Sequence, residues 1–435
     1  MMSRTVLIVS PHFPPVNAPD MQRVRMSLPY FEATGWRPVV LAVDPRDVEG
    51  VTDDLLLQTI PPHIPVRRVR ALSTRWTRRV GIGNLALRAW PLLYLAGCDL
   101  IKKYHVDLVY FSTTMFLALP LGRIWKARLG VPFVIDMQDP WLNDYYEKTP
   151  QAMPPPKYGL ARQLHRRLEP WTMQAVAGLI AVSDDYITTL QHRYPWLQQC
   201  MVQTLPFGAA EQDFVLLHSH PQPNRFFRSQ SGQIHGVYVG RGGSDMTRAL
   251  RIMFVAFARG LAEQPALFSR IQLHFIGTDY APAKRARKTV EPLAREIGIE
   301  QHVIEHQVRI PYFEALQLLI NADFLLVPGS DDPQYTASKI YPYILANKPL
   351  LAVFHEQSSV VKLIAATGAG TVVSFSSRSF DDAALSDHVM WAWYNMLQPV
   401  PRSSAINWDA FRPYTAQTMT ERQCALFDKV VEAAL

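Results

Sequence analysis

The feature that most constrains this chain is a recurring unit: a short apolar run with no polar alternation, closed by a polar or Pro/Gly turn and followed by a helical stretch. Thr5–Ser10 reads TVLIVS and meets Pro11, Pro14 and Pro15, so it predicts a buried strand leaving into a loop. A helix over 21–34 follows and stops at Gly35, and then comes RPVVLAV over 37–43. The same alternation continues through strands at 66–69, 106–111, 132–135, 178–182 and 201–205. Helices are expected at 84–104, 118–129, 161–177 and 184–193, the first with its apolar stripe broken at Pro91 and the last with Ser183 as its N-cap. Strands that are apolar on both faces are covered on both faces, which makes the sheet parallel.

A second series repeats the pattern. GVYVG (236–240), QLHFIG (272–277), 303–305, DFLLV (323–327), 349–354 and 370–373 read as strands. Helices are expected at 246–264, 283–297, 312–321, 338–346 and 359–367, and a last one at 419–435. His218–Gln233, rich in Ser, Pro, Gln and Gly, reads as a linker or surface loop. The fold class is therefore α/β, with two Rossmann-like domains. The expected bounds are 1–207, completed by a C-terminal helix at 408–435, and 208–407. Ligands of such sheets bind outside the C-terminal ends of the strands, and every polar cluster below sits at such an end.

Composition removes several classes. Of 435 residues, 48% are hydrophobic and 19% charged, enough core material to argue against a largely disordered chain. Cys98, Cys200 and Cys424 lie far apart and form neither a zinc motif nor a disulfide framework, so a reduced, cytoplasmic protein is expected. No stretch offers 18 uninterrupted apolar residues, and the run ending at Ser10 is short for a signal peptide. The net charge of +7 favours anionic partners.

In the first series, the loop Ser10–Arg23 (SPHFPPVNAPDMQR) leads into a helix start whose free N–H groups, with Arg23 and Arg25, suit an anion. DMQDPW (136–141) closes a strand. Asp139 there could bond a sugar hydroxyl or offset positive charge at an anomeric carbon, and Trp141 could stack on a sugar. A turn-capping Asp139 and a core Trp141 are the plainer alternatives. No ligand-rich cluster accompanies the pair, so no metal is expected.

In the second series, GRGGS (240–244) joins a strand to a helix. Gly240, Gly242 and Gly243 permit close approach of a phosphate and Arg241 adds charge, although the segment is neither GxGxxG nor a P-loop. Asp279 and Tyr280 stand at the next strand end. HQVRIPY (306–312) suits a loop under a base, with Arg309 and Tyr312 as contacts. The strongest signal is GSDDPQYTASKIYPYIL (329–345). A Lys at a helix start opposes the helix dipole unless it has a partner, and a diphosphate is such a partner. Lys339 is thus the leading phosphate ligand, with Ser338 adding a hydroxyl and Asp331 and Asp332 placed for ribose or sugar hydroxyls.

As an ordered set, PHFPP…R, DMQDPW, YVGRGG and TASKIYPYILANKPLLAV resemble a glycosyltransferase family 4 type enzyme over nearly the whole chain. The resemblance implies the GT-B fold of two facing Rossmann-like domains, donor in the second and acceptor in the first. It implies transfer from a nucleotide diphosphate sugar with retention at the anomeric carbon, without metal or other cofactor. Arg241 matches the basic residue on the diphosphate, Lys339 falls in the segment that holds nucleotide and phosphates, and Asp139 falls near the reacting sugar. Two departures stand out. The family's second glutamate falls at Pro342, and the second basic residue expected soon after Arg241 is replaced only by Arg248 at another spacing.

On this reading the chain is a transferase of cell-surface polysaccharide or glycolipid biosynthesis, with a glycan, lipid-linked or small-molecule acceptor. A non-catalytic nucleotide or sugar binder, and an epimerase or phosphorylase on the same scaffold, are the alternatives. Arg67–Arg79 (RRVRALSTRWTRR), followed by apolar Leu85–Leu95, suits an anionic membrane surface at the inner face of the plasma membrane. Nothing resembles a nucleic-acid reader.

Overall fold

The computed structural model describes residues 3–77, 79, 82–142, 158–228, 232–279, 286–332, 335, 337–376, 382–397 and 406–434. It divides into two compact units, Met1–Gly208 with Ala416–Leu435, and Ala209–Thr415.

The first unit is built on a seven-stranded sheet, all of whose pairs are parallel, in the order β3-β2-β1-β4-β5-β6-β7. Its strands are β1 Arg4–Val9, β2 Trp36–Val43, β3 Val66–Val69, β4 Leu108–Ser112, β5 Phe133–Met137, β6 Gly178–Ala181 and β7 Met201–Thr204. β1, β4 and β5 are buried nearly throughout, as unalternating apolar runs require. The chain returns after the other unit as helix Ala416–Glu432. Its Phe427, fully buried, packs on Phe31, Trp36 and Tyr110, a burial that contributes about 2–3 kcal/mol. Asp428 of the same helix accepts from Arg4 Nη1 at 2.6 Å and from Trp36 Nε1 at 3.1 Å.

The second unit carries a six-stranded sheet of parallel pairs in the order β10-β9-β8-β11-β12-β13. The strands are β8 Ile234–Val239, β9 Ile271–Ile276, β10 Val303–His306, β11 Phe324–Pro328, β12 Leu350–His355 and β13 Thr371–Phe375. Helix Thr247–Glu263 leaves the turn after β8 and buries Leu250, Met253, Phe254 and Phe257 at helical spacing.

Several elements differ from the sequence expectation. The stretch 21–34 is one short helix, Gln22–Ser27, followed by 3-10 turns at Leu28–Tyr30 and Glu32–Thr34, because Pro29 removes a donor that a continuous helix needs. Helix Leu85–Tyr104, by contrast, runs through the exposed Pro91. The helix expected over 283–297 is Glu291–Ile297. Its start lies at Val290, where the Glu305 carboxylate of β10 accepts the Val290 and Glu291 N–H groups at 2.9 Å each and so replaces a local cap. Residues 283–285 of that expected helix lie outside the described residues. Among the described residues two longer helices went unread, Glu211–Ser219, which takes the start of the expected linker, and Asp382–Leu397, along with the single turns Thr74–Thr77 and Pro265–Phe268.

Candidate active site

In the second unit, β8 and β11 are neighbours, so the turn after each opens at the same sheet edge. This adjacency brings together residues about a hundred positions apart. Lys339, which immediately precedes helix Ile340–Leu345, donates from Nζ to Tyr238 Oη at 2.6 Å, and Tyr238 Oη donates to the Arg241 carbonyl at 2.7 Å. Gly240 makes the approach feasible: a Cβ there would stand 2.7 Å from Lys339 Nζ and 2.9 Å from Tyr238 Oη. Gly242 is equally confined, its Cβ position 2.8 Å from Thr289 Oγ1, and at Gly243 a Cβ would collide with Asp245 Oδ1 and Arg241 Nη1.

Arg241 is held by Asp245, Nη1 to Oδ1 and Nη2 to Oδ2 at 2.6 Å each, and lies 4.9 Å from the Tyr335 ring centroid. Asp245 also accepts from Ser330 Oγ at 2.6 Å, and its carbonyl accepts the Asp331 N–H at 2.7 Å. Burial opposes ionisation of Asp245, yet the bonds from Arg241 and Ser330 hold its pKa low. The half-buried Lys339 is driven the other way. Burial first, and then the Arg241 charge, lower its pKa to about 7. The site therefore holds one firmly charged guanidinium and one ammonium poised to lose its proton.

The remaining expected residues are distributed more widely. Asp331 and Asp332 are exposed on the turn after β11; burial raises the pKa of Asp331, and the Asp332 N–H donates to Ser330 Oγ at 3.1 Å. Ser338 is half-buried one residue before Lys339. Arg309 lies beyond β10, two strands from β8, its Cα 3.8 Å from the position a Gly277 Cβ would occupy. Tyr312 is committed elsewhere, donating to Asp213 Oδ2 at 2.7 Å. Arg248 donates to the Ser376 carbonyl and lies over Phe375, and its charge acts on the Asp331 carboxyl. Asp279 accepts the Arg287 N–H at 2.7 Å; Tyr280 lies outside the described residues.

In the first unit the polar residues after β1, β4 and β5 interlock. Arg23, fully buried, does not present its charge to solvent. Its Nε donates to Asp136 Oδ2 at 2.8 Å, and its Nη1 and Nη2 donate to the carbonyls of Pro206 and Leu205 at 3.1 and 2.7 Å. Arg25 is buried as well, against Gln22 Oε1. Asp136 also accepts from Ser112 Oγ and Gln138 Nε2, so it is a brace between strands. Trp141 is buried, its ring stacked on Phe116 and its Nε1 donating to His165 Nδ1 at 2.6 Å, so it packs rather than presenting a stacking face. Asp139 is exposed, while groups crowding its carboxyl and then the Asp20 charge raise its pKa.

The sequence reading passed over a pair beside it. His12 Nδ1 lies 2.8 Å from Asp20 Oδ1. Asp20 Oδ2 in turn accepts from Thr113 Oγ1 at 2.8 Å, from Thr114 N at 3.1 Å and from Thr114 Oγ1 at 3.3 Å. Burial works against the Asp20 charge, and the bonds from His12, Thr113 and Thr114 override it and lower the pKa. A carboxylate can only accept, so Nδ1 carries a proton and the ring is oriented by Asp20. Tyr238, Asp245, Ser330 and Tyr335 were also passed over. Only Asp245 had a local signal, its i,i+4 spacing from Arg241. Among the described residues no group of three His, Cys, Asp or Glu side chains is placed to hold a metal ion.

Residues 22–202 match the family model of the glycosyl transferase 4-like domain. No curated protein sequence matches the chain. Among solved structures, the α,α-trehalose 6-phosphate synthase of Burkholderia multivorans superposes with a TM-score of 0.60 at 15% identity, covering 100% of both chains. HepE of Anabaena in complex with UDP and glucose gives 0.56 at 15% identity over 98% of this chain and 100% of that one. A glycosyltransferase of Rickettsia africae gives 0.52 at 12% identity over 99% of each. These likenesses show the GT-B fold, and with the family match the chain is a glycosyltransferase.

Proposed function

We propose that this glycosyltransferase moves a hexosyl or related residue from a nucleotide diphosphate sugar to a hydroxyl acceptor, with retention at the anomeric carbon, in the assembly of a cell-surface polysaccharide or glycolipid. The observation that carries the reading is the convergence of Arg241 and Lys339 on Gly240 at the β8–β11 edge. Two cationic groups and a turn with three glycines make a cradle for a diphosphate. HepE was solved with UDP, which makes UDP-sugars the first donors to try.

The unit Ala209–Thr415 takes the nucleotide. Arg241 and Lys339 contact the diphosphate, with the Ser338 hydroxyl as a further donor, and they stabilise the charge that grows on the β-phosphate as the anomeric bond breaks. Gly240, Gly242 and Gly243 let the phosphates approach the backbone. Asp331 and Asp332 serve ribose or sugar hydroxyls in place of the glutamate that Pro342 displaces, and Arg309 serves the base. The other unit takes the acceptor, whose hydroxyl meets Asp139 and the His12 ring. The bond from the anomeric carbon to the phosphate oxygen breaks, the nucleoside diphosphate leaves with the electron pair, and the acceptor oxygen takes its place. The acceptor proton passes to the leaving phosphate, and Asp139 offsets positive charge on the ring. The protein works in the cytoplasm, attached peripherally to the inner face of the plasma membrane.

Thermal melting of the full chain against UDP-, GDP-, ADP-, CMP- and dTDP-linked sugars, with and without magnesium, tests the reading. A stabilising shift with one nucleotide class, independent of magnesium, is expected. A flat response across the panel refutes the donor site.

A further inference from the structure

The positive charge of the chain is concentrated on one part of the first unit. Residues 67–104 contain nine Lys and Arg against a single acid, Asp99, a surplus larger than the +7 of the whole protein. The structure shows what this charge accompanies. Leu72 and Trp76 are 54% and 66% exposed, and Arg79 lies over the Trp76 ring at 5.0 Å. Along helix Leu85–Tyr104 the outward stripe begins apolar, with Leu92 and Leu95 (61% exposed), and ends cationic, with Lys102 and Lys103. Two bonds join the segments: the Leu72 N–H donates to the Arg88 carbonyl at 3.0 Å, and Arg88 Nε donates to the Leu72 carbonyl at 3.0 Å. Leu72 is therefore fixed beside the apolar half of the stripe.

Some of the arginines are internal fasteners. Arg68 bonds the Pro14 carbonyl, Arg70 bonds Asp47, and Arg88 is buried. Arg67, Arg75 and Arg79 are exposed around the apolar residues. No helix among the described residues is long and apolar enough to cross a membrane.

We propose that the surface formed by Leu72, Arg75, Trp76 and Arg79, with Leu92 and Leu95 of helix Leu85–Tyr104, docks onto an anionic lipid bilayer, Trp76 and the leucines entering the interface and the arginines meeting lipid phosphates. An exposed Trp within a Leu and Arg cluster has the composition of an interfacial contact, in which apolar burial and charge attraction act together. A protein partner would also cover such a patch, but the unbalanced charge matches a surface whose charge is uniformly negative. This deepens the membrane attachment proposed above by naming the face that makes it, and it needs no donor to be tested.

The test is flotation of the full chain with vesicles of phosphatidylglycerol and phosphatidylethanolamine, or of phosphatidylcholine alone, at low and high salt. Binding is expected to the anionic vesicles only and to weaken with salt. Trp76→Ser with Leu95→Ser, and separately Arg75→Glu with Arg79→Glu, should each lower the partition about tenfold or more. Both pairs are exposed, and unchanged thermal melting confirms that the fold is intact. Absence of binding to anionic vesicles, equal binding to phosphatidylcholine, or binding untouched by the apolar pair overturns the assignment. So does tight binding to a single-stranded oligonucleotide that only the charge reversal removes. Donor melting curves are read separately, so failure of the membrane face and failure of the donor site are distinguishable.

Discussion

Replacing Lys339 with Met should make the protein more stable and worse at holding its donor. Lys339 has its pKa brought from the ordinary 10.5 to about 7, by burial and then by Arg241. At 1.36 kcal/mol per unit, keeping that side chain in the folded state at neutral pH costs on the order of 4 kcal/mol relative to the unfolded chain. Losing the Nζ donor to Tyr238 Oη gives back about 1 kcal/mol. Met fills a similar volume without the charge, so Lys339→Met should gain about 2–3 kcal/mol at pH 7. The sign with pH follows from proton counts. Between about pH 7 and 10.5 the unfolded state binds more protons at this residue, so wild-type stability rises with pH across that window. The variant lacks this rise. Donor binding runs oppositely. A diphosphate favours the ammonium, so affinity is flat below about pH 7 and falls toward tenfold per unit above it. At neutral pH the substitution removes a charge-assisted bond of about 2–3 kcal/mol, or roughly 30–150-fold in affinity. Urea unfolding and calorimetric titration with UDP-glucose from pH 6 to pH 9 (approximate limits that bracket the shifted value) measure both effects. A variant that is less stable than wild type at pH 7 and binds donor equally well would falsify the assignment of Lys339.

Two other substitutions separate donor contact from scaffold. Asp245→Asn releases Arg241 from a carboxylate that competes with phosphate, so donor affinity should rise about fivefold while stability falls by about 1 kcal/mol; a large loss of affinity in the same titration would instead mean that Asp245 itself touches the donor. Arg23→Met strands the buried Asp136 and should cost about 3–5 kcal/mol in urea unfolding, most of it recovered when Asp136→Leu is added; a single variant as stable as wild type would sink the account of Asp136 as a brace.

Much of the architecture was legible because burial on both sides of a sheet leaves a mark in the chain. β4, β5 and β11 each open with three or four consecutive apolar residues (LVYF, FVI and FLLV), as strands covered on both faces of a parallel sheet do. The misreadings arose where a local signal met a longer-range partner or a missing donor. Pro29 broke a helix whose apolar spacing looked continuous, and Glu305, contributed by β10, set the start of a helix that the sequence placed earlier. The site was legible one strand end at a time. Arg241 and Lys339 could each be singled out by type and position, but strand order is not written locally. Only the pairing of β8 with β11 reveals that both flank Gly240 and that Tyr238 lies between them. For the same reason Arg23 read as an anion ligand and turned out to be a buried brace, since its partner Asp136 lies 113 residues away. Charge near a strand end is therefore ambiguous until its counter-charge is placed. Asp136 satisfies Arg23 in a site closed to solvent, whereas Asp245 leaves Arg241 partly exposed beside a lysine that burial has weakened. A pair that is sealed from solvent holds the fold. One that stays partly open, beside a lysine with a lowered pKa, can still meet an incoming anion, which is why the donor experiments belong at the β8–β11 edge.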